Sequence, residues 1–99
     1  MSDLSLSGVQ LIADERRRQI NVEGWTAEHD DEHTKGELII ASICYAIQPT
    51  LPDDIKKSGT PSIWPWEDTW WKPSEDPIRN LVKAGALLAA EIDRRQREL

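Results

Sequence analysis

The chain has 99 residues, with 12 basic side chains, 18 acidic side chains and a net charge of −6. This length allows one domain, and the acidic balance argues against general nucleic-acid binding, because phosphate contacts need a basic face. The single Cys44 excludes a disulfide scaffold and a thiolate zinc cluster, and it fits a reducing compartment such as the cytoplasm. No apolar run approaches the roughly 20 residues of a membrane span, so we expect no membrane association. We also expect no signal peptide.

The first predicted helix covers residues 7–22. Ser7 and Gln10 have the spacing of a capping box, in which each side chain satisfies an N–H group of the first turn. Gly24 is a natural stop signal after the helix. The apolar residues that recur at helical spacing are Val9, Ile12, Ala13 and Ile20.

The second predicted helix covers residues 34–48. Thr34 and Glu37 repeat the capping-box spacing, which places the N-cap at Thr34, and Pro49 ends the helix. Between residues 38 and 47 only two side chains carry polar atoms, so the pattern predicts burial on all sides. In so short a chain, this burial requires either the following loop or a second subunit as a cover.

The third predicted helix covers residues 77–97. Asp76 is its N-cap and Pro77 takes the first helical position, where the missing N–H of proline costs nothing. An apolar stripe with coiled-coil-like spacing follows, formed by Ile78, Leu81, Val82, Gly85, Leu88, Ala89 and Ile92. The small residues that would let another backbone approach are Gly85, Ala86, Ala89 and Ala90. Together with the apolar second helix, they predict a homo-oligomer.

Residues 49–75 form a long connection with five of the six prolines and four of the five tryptophans. Loops of this length are uncommon in compact domains, and they are usually either functional or disordered. Four indoles within eight residues argue against disorder, because disordered segments are poor in aromatic residues. The sequence therefore predicts an all-α domain over residues 1–99: a compact three-helix fold, made of a helical hairpin and an N-terminal helix, with a long ordered Trp/Pro-rich loop.

Both histidines lie in one acidic segment, residues 24–33, beside four carboxylates. If the segment is helical, the two imidazoles share one face. The candidate ligands for a divalent metal are His29, His33, Glu37, Glu28 and Asp31. The alternative is a solvated acidic loop whose histidines make hydrogen bonds to the flanking helices. We favour the second interpretation and predict no bound metal.

The Trp-rich loop also has two interpretations. Its indoles pack as a structural lid on the core, or one or two of them stack on a nucleobase, with nearby cations and the helix start at Pro77 holding phosphates. The predicted ligand-binding residues are Trp25, Trp66, Trp70, Trp71, Lys72, Arg79, Lys83, His29 and His33. No catalytic residue is predicted, because Cys44 lies within the apolar helix and the chain has no Gly-rich phosphate loop.

Six segments in fixed order carry a family resemblance: ERxRQ at 15–19, EGWTxEHDDxH at 23–33, GEL at 36–38, WPW at 64–66, WWKP at 70–73 and LVKAGALLAAEIDR at 81–94. Together they resemble a family of short phage and prophage accessory proteins. This resemblance spans nearly the whole chain. It implies action in the cytoplasm of an infected or lysogenic bacterial host.

Small helical phage proteins of this kind include sponges that sequester the nucleotide-derived signals of host defence. By this similarity we expect a non-enzymatic protein that binds a small nucleotide-like ligand and needs no cofactor. The alternative is an all-α nucleotide pyrophosphohydrolase dependent on Mg²⁺, which the Glu28-x-x-Asp31 spacing resembles in one half of its motif. A second alternative is a protein–protein inhibitor of a host defence factor.

Overall fold

Three long helices and several short ones make up the computed structural model, which describes residues 6–99. The elements in chain order are α1 (Gly8–Asn21), α2 (Ala27–Asp31), α3 (Glu37–Ile47), a 3-10 turn (Gln48–Thr50), α4 (Asp53–Lys56), a second 3-10 turn (Asp68–Trp70) and α5 (Pro77–Glu98). No strand occurs among these described residues, so the all-α prediction is confirmed. The first five residues of the predicted domain lie outside the described range.

Helix α5 is the centre of the fold, because both α1 and α3 pack against it. Its start matches the sequence signals: Asp76 Oδ1 accepts a hydrogen bond from the N–H of Ile78, and Pro77 occupies the first helical position. The buried core residues are Leu38, Ala41, Cys44, Tyr45, Trp64, Ala84, Leu87 and Ala90. The core therefore lies between α3, α5 and the Trp-rich loop.

The helix starts agree with the sequence at α1 and differ at α3. Ser7 and Gln10 form the predicted capping box. The N-cap prediction at Thr34 is wrong, because α3 begins at Glu37 and its N-cap is Gly36. Gly36 has a φ of 83°, a left-handed conformation that breaks the helical path and that glycine adopts without strain. The Glu37 carboxylate instead accepts a hydrogen bond from the N–H of Lys35.

The apolar spacing of α1 and α3 is misleading about what is buried. In α1 the buried side chains are Glu15 and Gln19, while Val9 is exposed. In α3, Ile43 and Ile47 are each half exposed in the single chain, so the rest of the chain does not cover this helix on all sides, and cover by a second subunit stays a prediction. A hydrophobic pattern marks a helix, but the pairing of helices decides which of its sides is covered.

The Trp-rich loop is ordered by short helical turns and by an aromatic cluster against the core. Its end is tied to α3, because the N–H of Lys72 donates to the Tyr45 hydroxyl at 3.2 Å. No helix within residues 6–99 is long and apolar enough to cross a membrane.

Candidate ligand-binding cleft

Two of the five tryptophans anchor the loop to the core, and we call Trp64 and Trp71 the anchoring tryptophans. Both rings contact Tyr45, at centroid distances of 5.7 Å and 4.7 Å, and they contact each other at 4.9 Å. Trp64 is only 9% exposed, and its indole N–H donates to the carbonyl of Glu67 at 3.1 Å. These contacts are those of a structural lid. Trp71, a predicted ligand-binding residue, therefore lies in this cluster and not at the cleft described next.

The other three tryptophans line an open cleft of about 610 Å³, and we call them the cleft tryptophans. Trp70 is 47% exposed, and Trp25 and Trp66 are partly buried against the core. The rings of Trp25 and Trp66 lie 6.4 Å apart with an angle of 50° between their planes. The full lining of the cleft is Trp25, His29, His33, Pro65, Trp66, Glu67 and Trp70. A mostly aromatic cavity of this size is typical of small-molecule sites.

Local structure at α2 sets one wall of the cleft. Gly24 has a φ of 76°, which turns the chain sharply after α1 and leads into Trp25. The N–H of Trp25 donates to the carbonyl of Gln19, and the Thr26 side chain caps α2 by accepting from the N–H of His29. The His29 ring then lies parallel to the Trp25 ring at 5.9 Å. The wall is therefore a stacked pair fixed by backbone contacts.

Each histidine of the cleft has its Nδ1 directed at a carboxylate. His29 Nδ1 lies 3.1 Å from an oxygen of Asp30, and His33 Nδ1 lies 3.5 Å from an oxygen of Glu37. Partial burial opposes ionisation of Glu37, but backbone hydrogen bonds and the His33 contact hold the pKa of this carboxyl below its ordinary value. The carboxylates orient the two imidazoles, whose rings meet edge to face at 4.8 Å.

Two of the predicted metal ligands, Asp31 and Glu37, make hydrogen bonds or ion pairs with other residues. Asp31 binds Arg97 at 2.8 Å, and Glu37 accepts from the N–H of Lys35. Within residues 6–99, no three or more histidine, cysteine or acidic side chains are arranged to hold a metal ion. His29 and His33 are therefore walls of the aromatic cleft in this structure. Cys44 is buried within α3, and burial raises the pKa of its thiol.

A small polar pocket of about 40 Å³ adjoins the cleft and shares Trp25 and Trp70 with it. Its further lining is Glu15, Arg18, Gln19, Glu23, Tyr45, Lys72, Lys83 and Leu87. Three of these side chains are basic and two are acidic, in a chain whose net charge is −6. The pocket has room for a few water molecules only, so any larger group would lie at its rim.

Glu15 organises the polar pocket although its side chain is only 1% exposed. It accepts hydrogen bonds from Arg18 and Gln19 and pairs with Arg79 at 2.6 Å. Burial opposes its ionisation, but the two guanidinium groups hold the pKa of the Glu15 carboxyl below its ordinary value. In turn, the hydrogen bond to Glu15 raises the pKa of Arg18, which also contacts Glu23 at 3.1 Å. Arg79, predicted to bind phosphate, is thus paired with Glu15.

Lys72 and Lys83 supply the remaining positive charge. Lys83 Nζ donates to the carbonyl of Lys72 at 2.7 Å and lies 5.4 Å from the centre of the Tyr45 ring. Burial and the nearby positive charge of Arg79 lower the pKa of Lys83. Lys72 Nζ lies 5.5 Å from the centre of the Trp70 ring, at the boundary of cleft and pocket. The predicted phosphate position at the start of α5 already holds the Asp76 carboxylate.

Two buried polar atoms next to these cavities have no hydrogen-bond partner among the described residues: the indole Nε1 of Trp66 and the Oε1 of Gln19. Trp66 lines the cleft and Gln19 lines the pocket. Buried polar atoms are nearly always paired. Each cavity therefore borders a polar atom that a water molecule or a polar ligand would satisfy with a hydrogen bond.

Sequence reasoning missed the polar side of the site, namely Glu15, Arg18, Gln19, Glu23 and Tyr45. One signal was available, because Glu15 and Gln19 follow Ile12 at i+3 and i+7 and so share its side of α1.

Comparison of the chain with protein-family models, with curated proteins and with solved structures finds no significant match.

Proposed function

We propose that this protein binds and sequesters a small nucleotide-like ligand without altering it. The base would stack on the cleft tryptophans, and the phosphates would lie at the rim of the polar pocket near Lys72 and Lys83. The observation that carries the proposal is the shared wall: Trp25 and Trp70 border both an aromatic cavity and a pocket lined by an excess of cations. A stacking surface beside positive charge suits a base joined to phosphates.

The resemblance to phage accessory proteins makes a nucleotide-derived signal of host defence the ligand class to test first. The pyrophosphohydrolase alternative needs several carboxylates around one Mg²⁺ ion. Of its two candidate residues, Asp31 contacts Arg97 and Glu28 is exposed. The described residues offer no specific support for the enzyme or for the protein–protein inhibitor, and binding is the stronger proposal.

The test is a panel of mono-, di- and cyclic nucleotides, incubated with the protein with and without Mg²⁺. Trp fluorescence reports binding, and denaturation followed by chromatography reports what is released. We expect quenching by some members of the panel and intact recovery of the ligand. Converted product would favour the enzyme, and unchanged fluorescence at millimolar concentration would overturn the proposal.

A further inference from the structure

His29 is held in the wall of the cleft by a carboxylate that is itself fixed. Its Nδ1 lies 3.1 Å from Oδ1 of Asp30, while Oδ2 of the same carboxylate accepts a hydrogen bond from Arg16 at 3.0 Å. Asp30 is buried, so its two oxygens keep these two partners. The carboxylate cannot turn away from the imidazole without breaking its bond to the arginine.

His33 has the same arrangement four residues further along the chain. Its Nδ1 lies 3.5 Å from Oε2 of Glu37, while Oε1 of Glu37 accepts from the N–H of Lys35 at 2.6 Å. The His33 ring also contacts the Trp66 ring, at a centroid distance of 5.2 Å. The imidazole therefore lies beside one of the cleft tryptophans.

These contacts determine which nitrogen of each ring carries the proton. An ionised carboxylate only accepts hydrogen bonds, so a neutral imidazole beside it carries its proton on Nδ1, and its Nε2 is an acceptor. Within residues 6–99, the Nε2 atoms of His29 and His33 have no hydrogen-bond partner. Both residues line the cleft, and their ring centres are 4.8 Å apart. The lining therefore has two neighbouring acceptors that are not in use.

The other polar side chains of the cleft add one more acceptor and one donor. Glu67 is exposed on the lining, and its carboxylate makes no ion pair or hydrogen bond within the described part of the chain. Trp66 adds an indole N–H, but its nitrogen is buried. A ligand in the cleft therefore meets mainly acceptors, and an amino group suits two neighbouring acceptors because it has two N–H donors, whereas a ring N–H has one.

We infer that the cleft selects a base with an exocyclic amino group, as in adenine, guanine or cytosine, over the counterpart that lacks this group. The amino group would donate to Nε2 of His29 and of His33 while the ring stacks on the cleft tryptophans. An oxygen in its place would leave both acceptors unpaired, which weakens binding at a site built for hydrogen bonds. The inference rests on the proposed function, because it takes the ligand to be a nucleotide.

Nitrogen NMR tests the tautomer in the protein alone. In spectra of the isotope-labelled chain at about pH 8, where an ordinary imidazole is neutral, we expect protonated Nδ1 and unprotonated Nε2 at both histidines. Protonated Nε2 at either histidine would overturn the inference without touching the proposed function, because the lining would then offer a donor in place of an acceptor.

Matched nucleotides test the selection. Inosine monophosphate lacks the amino group of guanosine monophosphate and has an oxygen in place of that of adenosine monophosphate, and uridine and cytidine monophosphates form a similar pair. By Trp fluorescence we expect the tightest-binding amino nucleotide to bind about tenfold more tightly than its counterpart. Equal binding within every pair would overturn the inference and leave the proposed function standing. No quenching by any nucleotide would overturn both.

Glu37→Gln tests the origin of the selection at a partly exposed position. The amide oxygen keeps the N–H of Lys35, and the amide N–H then donates to Nδ1 of His33, which moves the ring proton to Nε2. We expect the preference for the amino base to fall about threefold or more. The control is Glu32→Gln, an exposed carboxylate of the same segment, which should leave the preference unchanged.

Far-ultraviolet circular dichroism checks that the variants are folded, and His33→Ala removes the acceptor directly. A preference that is unchanged in both Glu37→Gln and His33→Ala would overturn the inference, because His33 would then take no part in the selection.

Discussion

The anchoring and the cleft tryptophans are the same residue type within one small protein, yet their surroundings differ. Trp64 and Trp71 are held by Tyr45, by each other and, for Trp64, by a hydrogen bond to a loop carbonyl. Trp70 is half exposed beside a lysine, and the indole N–H of Trp66 has no hydrogen-bond partner within residues 6–99. The first set contributes to folding, and the second set provides a surface. Trp25, Trp66 and Trp71 are all partly buried against the core, so contact with Tyr45 or access to the cleft, rather than residue identity or burial alone, separates the two roles.

Replacing an anchoring tryptophan should give the largest effect. We expect Trp64→Ala to lower the free energy of unfolding by about 3–5 kcal/mol, because it leaves a cavity in the aromatic cluster. Trp70→Ala is the matched control and should cost less than about 1 kcal/mol, since half of its surface is already in water. Urea denaturation measures both. Equal losses in the two variants would remove the distinction between the sets.

Glu15 tests the polar pocket beside the cleft. Glu15→Gln should lower the free energy of unfolding by about 1–3 kcal/mol, because Arg18 and Arg79 lose their shared carboxylate while still reaching water. The exposed carboxylate of Asp54 on α4 provides the control, Asp54→Asn, which should have no measurable effect. A cost as small as that of the control would show that the Glu15 pairs add no net stability.

The pH dependence of stability should follow from the same residue. The pKa of Glu15 is lowered in the folded state, so its contribution is present above the ordinary value of about 4.3 and is lost as the pH falls through the folded value. Denaturation curves at pH 7, 5, 4 and 3 should therefore show the difference between wild type and Glu15→Gln shrinking below pH 4. A difference that stays constant with pH would contradict this assignment.

Lys72 should have a smaller effect, on ligand binding alone. We expect Lys72→Gln to weaken binding of a nucleotide found by the panel about two- to fivefold at low salt, and less in 1 M salt, because exposed charges are screened there. Lys57→Gln, which removes an exposed lysine at the end of α4, is the control. An equal loss in both variants would indicate general charge attraction rather than a contact at the cleft.

Metal removal should have no effect. Because the carboxylates near His29 and His33 also bind Arg16, Arg97 or the N–H of Lys35, a chelator should leave the melting temperature unchanged. Added Zn²⁺ and Mg²⁺ should also leave the melting temperature unchanged, because a metal ion raises it only by binding to the folded state. A rise with Zn²⁺ that disappears in His33→Ala would refute this expectation.

Local signals predicted the three long helices but not the short α2 and α4, because capping boxes, prolines and apolar periodicity act within a few residues. The start of α3 was misplaced because Thr34 and Glu37 imitate a capping box while Gly36 takes the actual position. The cleft was partly predictable, since the histidines and indoles stand out in composition. Of the polar pocket only Lys72 and Lys83 were predicted. The α1 side was not, because the pairing of Glu15 with Arg79 joins residues that are distant along the chain and depends on how α1 crosses α5.

The most direct test compares one residue from each set in the same titration. With a nucleotide that quenches the wild-type fluorescence, Trp70→Ala should raise the dissociation constant about ten- to a hundredfold, the range of about 1–3 kcal/mol for a stacked base. Trp71→Phe, which keeps an aromatic ring against Tyr45, should leave the dissociation constant unchanged and lower the melting temperature instead. Weaker binding in Trp71→Phe with unchanged binding in Trp70→Ala would contradict the division into anchoring and cleft tryptophans.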